Sequence, residues 1–354
     1  MRRLGAPRGR RLALACLLGA TLAGLLAPGA AAADPGAQAS IIGGEPAAIP
    51  AFPSLAYIQG QTGPHQGFAC SGTVISPRVI LTAAHCVEDL DVGGYTPASD
   101  YGVATGFADP REAKAAKAVL RVASTHVFPE FDPSTLHGDA GILVLSTPTT
   151  APPISLATAT DSALYEGGAR VLLAGWGLTG GDASMPPKRL RSAATVVQDP
   201  HTCRQRTQRF YAPYSAAFQV CTLDPPTLAT GSCFGDSGGP AIAQRPDGSA
   251  VEVGITSTGG PQCNTRVPDI FTRADRVSTW ASEWVAATET GAPPPTGPRA
   301  LVPRLSLESA KAFVAGTLAH AFGKLFLHAS YLRANCQRVE RERARCGLVW
   351  RYGP

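Results

Sequence analysis

Charge is scarce in this chain: only 16% of its 354 residues are Asp, Glu, Lys or Arg. Helix-forming runs are few before residue 275. No apolar stretch is long enough to span a membrane, because Leu12–Leu26 stops at Pro28 and Gly29. Later apolar residues are interrupted by Lys311, His320 and Lys324. No recognition motif and no interleaving of aromatic with basic residues argues for nucleic acid. What the chain does contain is 38 glycines and 31 prolines. That composition suits a loop-rich β protein.

The amino end has the form of an export signal. Arg2, Arg3, Arg8, Arg10 and Arg11 precede the apolar run, and Ala31-Ala32-Ala33 supplies small residues for cleavage. We expect residues 1–33 to be removed, with the mature protein secreted. Of nine cysteines, Cys16 leaves with the signal. An even eight remain in an oxidising compartment, which predicts disulfides. Charge divides unevenly along the chain. Residues 41–290 hold 16 Lys/Arg against 22 Asp/Glu, and residues 291–354 hold 10 against 3. The basic tail is therefore expected to seek an anionic surface or the acidic body of its own chain.

The most informative stretch is Gly235-Asp236-Ser237-Gly238-Gly239-Pro240. Glycines on both sides let the backbone bend where a side chain would clash. Such a bend can converge the amides of Gly235 and Ser237 on one oxyanion. A serine hydroxyl is inert at neutral pH without a base, so the stretch demands a histidine and a carboxylate to orient it. Ala83-Ala84-His85-Cys86 ends a β-rich apolar run and supplies the histidine. Asp139 stands just before the buried-strand pattern Ile142–Leu145 and supplies the carboxylate. His137 lacks a flanking motif and reads as a bystander.

These strings, in the order His, Asp, Ser, resemble the chymotrypsin/trypsin family of serine endopeptidases over roughly residues 41–290. The resemblance implies two packed six-stranded antiparallel β-barrels with a closing helix over Arg276–Thr288. It implies peptide-bond hydrolysis through an acyl-enzyme by a monomer that needs no metal or cofactor, acts on proteins or peptides and meets protein inhibitors. His85, Asp139 and Ser237 would form the triad, with the Gly235 and Ser237 amides as the oxyanion hole. Cleavage after a short propeptide, residues 34–40, would free an ammonium at Ile41 that pairs with Asp236. Disulfides would join Cys70 to Cys86, Cys203 to Cys221 and Cys233 to Cys263. Gly231, Ser232, Ser257, Gly259 and Asp269 would contact substrate. Gly231 replaces the aspartate by which trypsins select Arg and Lys, and Asp269 brings a carboxylate to the back wall instead. Asp269 could recruit Lys or Arg, or it could be hydrogen-bonded to Ser232 and leave the pocket to medium or large apolar side chains. We expect broad specificity with a basic component. A second reading is an inactive binding protein on the same fold.

Residues 291–304 read as a Pro-rich linker. Beyond it Leu307, Val314, Leu318, Ala321, Leu325 and Leu332 recur at helical spacing, so residues 305–354 are expected to be a helical extension. In one straight helix Cys336 and Cys346 would lie about 15 Å apart, so pairing them requires a turn between.

Overall fold

The computed structural model describes residues 41–63, 66–89, 94–180, 189–210, 213–295, 329–340 and 343–352. The expected signal and propeptide, and most of the expected helical tail, lie outside the described residues. Short β-rich runs between Gly and Pro turns form β1 (Leu55–Gly63), β2 (Gln66–Ser76), β3 (Val79–Thr82), β4 (Tyr101–Thr105), β5 (Leu120–Val127) and β6 (Gly141–Leu145). They close as an antiparallel barrel in the order β1-β2-β3-β6-β5-β4. β7 (Arg170–Gly175), β8 (Arg191–Val197), β9 (Gln219–Leu223), β10 (Pro240–Gln244), β11 (Ala250–Thr258) and β12 (Asp269–Arg273) follow. These run β8-β7-β10-β11-β12-β9, and the β8–β9 pairing closes the second barrel. The expected pair of six-stranded antiparallel barrels is what the chain forms.

Each barrel fills its own interior. Ile58, Val74, Ile80, Leu81, Ile142 and Leu143 pack in the first, and Val171, Leu173, Val253 and Phe271 in the second. A third cluster joins Leu55 of β1 to Ala174, Trp176 and Leu190 beside the second barrel. There the Tyr57 and Trp176 rings meet edge to face at 5.7 Å.

Among the described residues three α-helices lie outside the sheets. α1 (Pro110–Ala115) and α2 (Pro200–Thr207) each begin with proline after a capping aspartate, Asp109 and Asp199. Proline is tolerated at a first helical position because its missing N–H would have had no partner there. α3 (Ala274–Thr290) is the expected closing helix. Its stripe Val277, Trp280, Ala281 and Trp284 is buried in the core of the first barrel, although the helix follows the second. The chain crosses back and straps the two halves together.

Three disulfides form as the resemblance implied: Cys70–Cys86, Cys203–Cys221 and Cys233–Cys263, with Cα separations of 6.3, 6.0 and 5.1 Å. The tail corrects the sequence reading. Residues 329–340 and 343–352 are not helical; β13 (Ala329–Glu340) and β14 (Arg343–Tyr352) pair antiparallel. The helical spacing projected from Leu307–Leu325 does not reach this far. From Leu332 the sequence alternates instead, with Arg333, Asn335 and Gln337 between Leu332, Ala334 and Cys336. The chain turns between the two cysteines, and Cys336 stands directly opposite Cys346 in the register.

Candidate active site

The site is assembled where the two barrels meet. β3 runs into a single 3-10 turn, Ala84–Cys86, that presents His85 at its centre. Cys86 ties this turn to Cys70 of β2. Asp139 sits two residues before β6, which pairs with β3 and so carries the carboxylate to the histidine. The hydrogen bonds are close. His85 Nδ1 lies 2.8 Å from Asp139 Oδ2, and the His85 backbone N–H donates to Oδ1 at 3.0 Å. Ser257 Oγ donates to Oδ2 at 2.6 Å. Asp139 is fully buried, with three donors around its two oxygens.

Burial alone would lower the His85 pKa; the Asp139 charge and hydrogen bond outweigh it and raise it above the ordinary 6.5. The imidazole is thereby held with its proton on Nδ1, leaving Nε2 as the free base.

Ser237 arrives from the second barrel on the loop before β10. The Ser71 N–H of β2 donates to Ser237 O at 2.8 Å. Gly238 makes this approach possible. Its φ is +79°, and a Cβ there would stand 2.1 Å from Thr82 Oγ1 and 2.8 Å from Ala83 N. The residue after Ser237 therefore touches residues two and three positions before His85. Gly235 has φ +100°, and a Cβ on it would meet Gly177 Cα at 3.0 Å. Both flanking glycines are thus required by conformation and by space. Gly141, where an aliphatic residue is more usual in the resembled family, is also filled: a Cβ would lie 2.8 Å from Val87 Cγ2.

Asp236 is 1% exposed and accepts the Gly177 and Cys233 amides at 2.8 and 3.0 Å. It meets no cation among the described residues. Burial pushes its pKa up to about 7, the two amides hold it down in part, and the Asp269 charge adds to the rise. Ile41 is 1% exposed and packs in the core of the second barrel. Ile42 exchanges backbone hydrogen bonds with Gly231 at 2.9 and 3.2 Å.

The expected pocket residues converge. Asp269 Oδ2 accepts the Ser232 N–H at 2.7 Å. A Cβ on Gly231 would lie 3.2 Å from that Oδ2, and one on Gly259 would lie 2.5 Å from Oδ1. The carboxyl is bracketed by two glycines and meets no basic side chain among the described residues. Burial pushes its pKa up to about 7, against the Ser232 hydrogen bonds.

A model of the family described as "Trypsin" matches residues 41–281. The chain belongs to the trypsin family. It is accordingly placed among serine endopeptidases, a family of hydrolases that act on protein substrates. Its curated relatives include "Trypsin" of Saccharopolyspora erythraea, 30% identical over 66% of this chain and 92% of the relative. "Serine protease 28" of Mus musculus is 26% identical over 61% of the chain and 77% of the relative. "Transmembrane protease serine 9" of Rattus norvegicus is 30% identical over 72% of the chain, a match that spans only 23% of that longer protein. Among the described residues no helix is long and apolar enough to cross a membrane.

Two buried polar residues that link the barrels carried no sequence signature. Ser71 and Glu252 stand alone on their strands, and only the fold gives them partners, Gly235 O and Thr73 Oγ1. Ligand atoms of Cys70, His85 and Cys86 cluster within 4.8 Å, but both sulfurs are spent in a disulfide, so no thiolate is left for a metal.

Proposed function

We propose that the chain is a secreted serine endopeptidase made as a zymogen and activated by cleavage before Ile41. Ser237 attacks the peptide carbonyl. His85 takes its proton through Nε2 and returns it to the leaving amine. Asp139 holds the tautomer and stabilises the imidazolium, and the Gly235 and Ser237 amides hold the oxyanion. This division of labour is the trypsin family's own template. The observation that carries it is the fully buried Asp139, hydrogen-bonded at once to the ring and backbone of His85 and to Ser257. The inactive binding-protein reading is not favoured, because all three triad residues are present.

Primary specificity is broad with a basic component, supported by the Asp269 carboxyl between Gly231 and Gly259. Extended substrate adds as a strand beside Ser257–Gly259. Cys336 and Cys346, opposite one another in the strand pair, form a fourth disulfide. Antiparallel partners have Cα atoms about 4.5–5.5 Å apart, within bridging range.

Intact mass analysis of the active protein, treated with a peptidyl phosphonate, tests these assignments together. The expected product begins at Ile41, carries one phosphonate on Ser237 and loses eight thiol hydrogens to four bridges. An unlabelled active-form protein, or label retained by Ser237→Ala, would refute the triad. A different amino terminus would refute the activation step, and two free thiols the fourth bridge.

A further inference from the structure

We infer that Ser71 is a positioning residue for the oxyanion-binding amides, holding the nucleophile loop of the second barrel from the first. The inference rests on the triad and oxyanion reading above. Ser71 follows the bridged Cys70 on β2 and is fully buried. Its N–H donates to Ser237 O at 2.8 Å, and its Oγ donates to Gly235 O at 3.0 Å. Its own carbonyl accepts Thr82 Oγ1 at 2.8 Å. One residue therefore grips the carbonyls on both sides of Asp236 and is itself braced from β3.

The consequence concerns the peptide units around Gly235. Phe234 O accepts the Leu178 N–H at 2.7 Å. In a trans peptide the N–H points opposite the C=O, so that bond aims the Gly235 N–H away from Leu178. Gly235 is a glycine at φ +100°, free to swing through conformations closed to other residues. Anchoring Phe234 O fixes the unit before it, and anchoring Gly235 O fixes the unit after it. Only with both held is the Gly235 amide pre-aimed, and preorganised donors are what make an oxyanion site effective. The first anchor is a backbone amide from beside the second barrel. The second is a side-chain hydroxyl from the first barrel. Without that hydroxyl Gly235 O, on a half-buried residue, loses this partner, and the loop can rotate to re-pair it.

The test uses the activated full chain with Ser71→Ala, which removes one atom, and Ser71→Gly, which removes the same hydroxyl differently. Measured quantities are kcat and KM on a peptide amide, the inhibition constant of a peptide aldehyde, and thermal stability. The aldehyde adds to Ser237 Oγ and places an oxygen where the oxyanion forms. Loss of one positioning hydrogen bond predicts kcat lower by about 3- to 10-fold. KM should stay within about twofold, with aldehyde affinity falling in step with kcat. Wild-type kcat and aldehyde affinity in either variant would overturn the inference. So would a rise in KM matched by lost thermal stability, or failure of both variants to fold, since each marks a purely structural serine. The two readings fail separately. An inert wild type sinks the triad and this inference with it, whereas an active wild type with an unchanged Ser71→Ala sinks this inference alone.

Discussion

At the scale of single residues, Asp269 is the group through which the proposed basic component of specificity can be tested. Its carboxyl meets the Ser232 N–H, lies against two glycines and carries a pKa pushed up to about 7 by burial. Raising the pH converts it from a neutral acid to an anion, and an anion there attracts a Lys or Arg side chain. The ratio of kcat/KM for Arg-ending over Leu-ending peptides is therefore expected to rise between about pH 6 and 8. Taking the ratio cancels the titration of His85, which affects both substrates alike. Asp269→Gly should flatten the ratio and lower the Arg rate about tenfold or more. An Arg rate untouched by that substitution would show that the carboxyl plays no electrostatic part. The residues of the proposed triad stood out in the sequence because that chemistry imposes local patterns: glycines around Ser237, a strand end before His85, a buried strand after Asp139. Ser71 was not legible, since its hydroxyl partner lies 164 positions away and a lone serine on an apolar strand predicts nothing.

At the scale of elements, β2 makes another polar contact across the barrels, to β11, that the proposed reaction does not use. Thr73 Oγ1 donates to Glu252 Oε2 at 2.6 Å, across 179 positions and from one barrel to the other. Glu252 is fully buried, and its Oε1 has no partner among the described residues. Burial pushes its pKa up to about 8, with the Thr73 bond holding it down only in part. The folded state thus keeps a proton that the unfolded chain releases near 4.5. Stability falls as pH rises between those values, because the unfolded chain binds fewer protons there. Asp236 and Asp269 push the same way, so only a difference between variants isolates Glu252. Glu252→Gln, made on a Ser237→Ala background to prevent self-digestion, should melt near the parent at pH 4. At pH 9 it should melt higher, by about 2–4 °C for each kcal/mol recovered. A pH-independent difference would assign the effect to packing. The closing helix could be read from periodicity, since it buries one stripe, whereas β3 and β6 are buried at nearly every position and could be read only as short apolar runs. The tail strand pair could not be read, because Leu332 fits both the helical series before it and the alternation after it.

At the scale of the whole molecule, the core of the second barrel contains the residue that follows the proposed activation cut. Ile41 packs inside the second barrel at 1% exposure, with φ +49°, which is strained for a β-branched residue. Ile42 is laced to Gly231, six residues before Ser237. Asp236, next to the nucleophile, is buried with no cation among the described residues and has its pKa pushed up to about 7. A cut before Ile41 would turn an amide nitrogen into an ammonium beside this interior. The new charge would favour ionised Asp236 and lock the turn that aims the Gly235 and Ser237 amides. Withholding one partner of such a buried pair costs about 3–5 kcal/mol. If that cost falls on the active arrangement, Asp236→Asn should be cut before Ile41 as readily as the parent. It should nevertheless show kcat/KM about 10²- to 10³-fold lower. Amino-terminal sequencing with kinetics on the same sample separates failed cleavage from failed assembly. Parental activity in a correctly cut Asp236→Asn would mean that the loop holds its shape without the pair, and the zymogen mechanism would have to be abandoned.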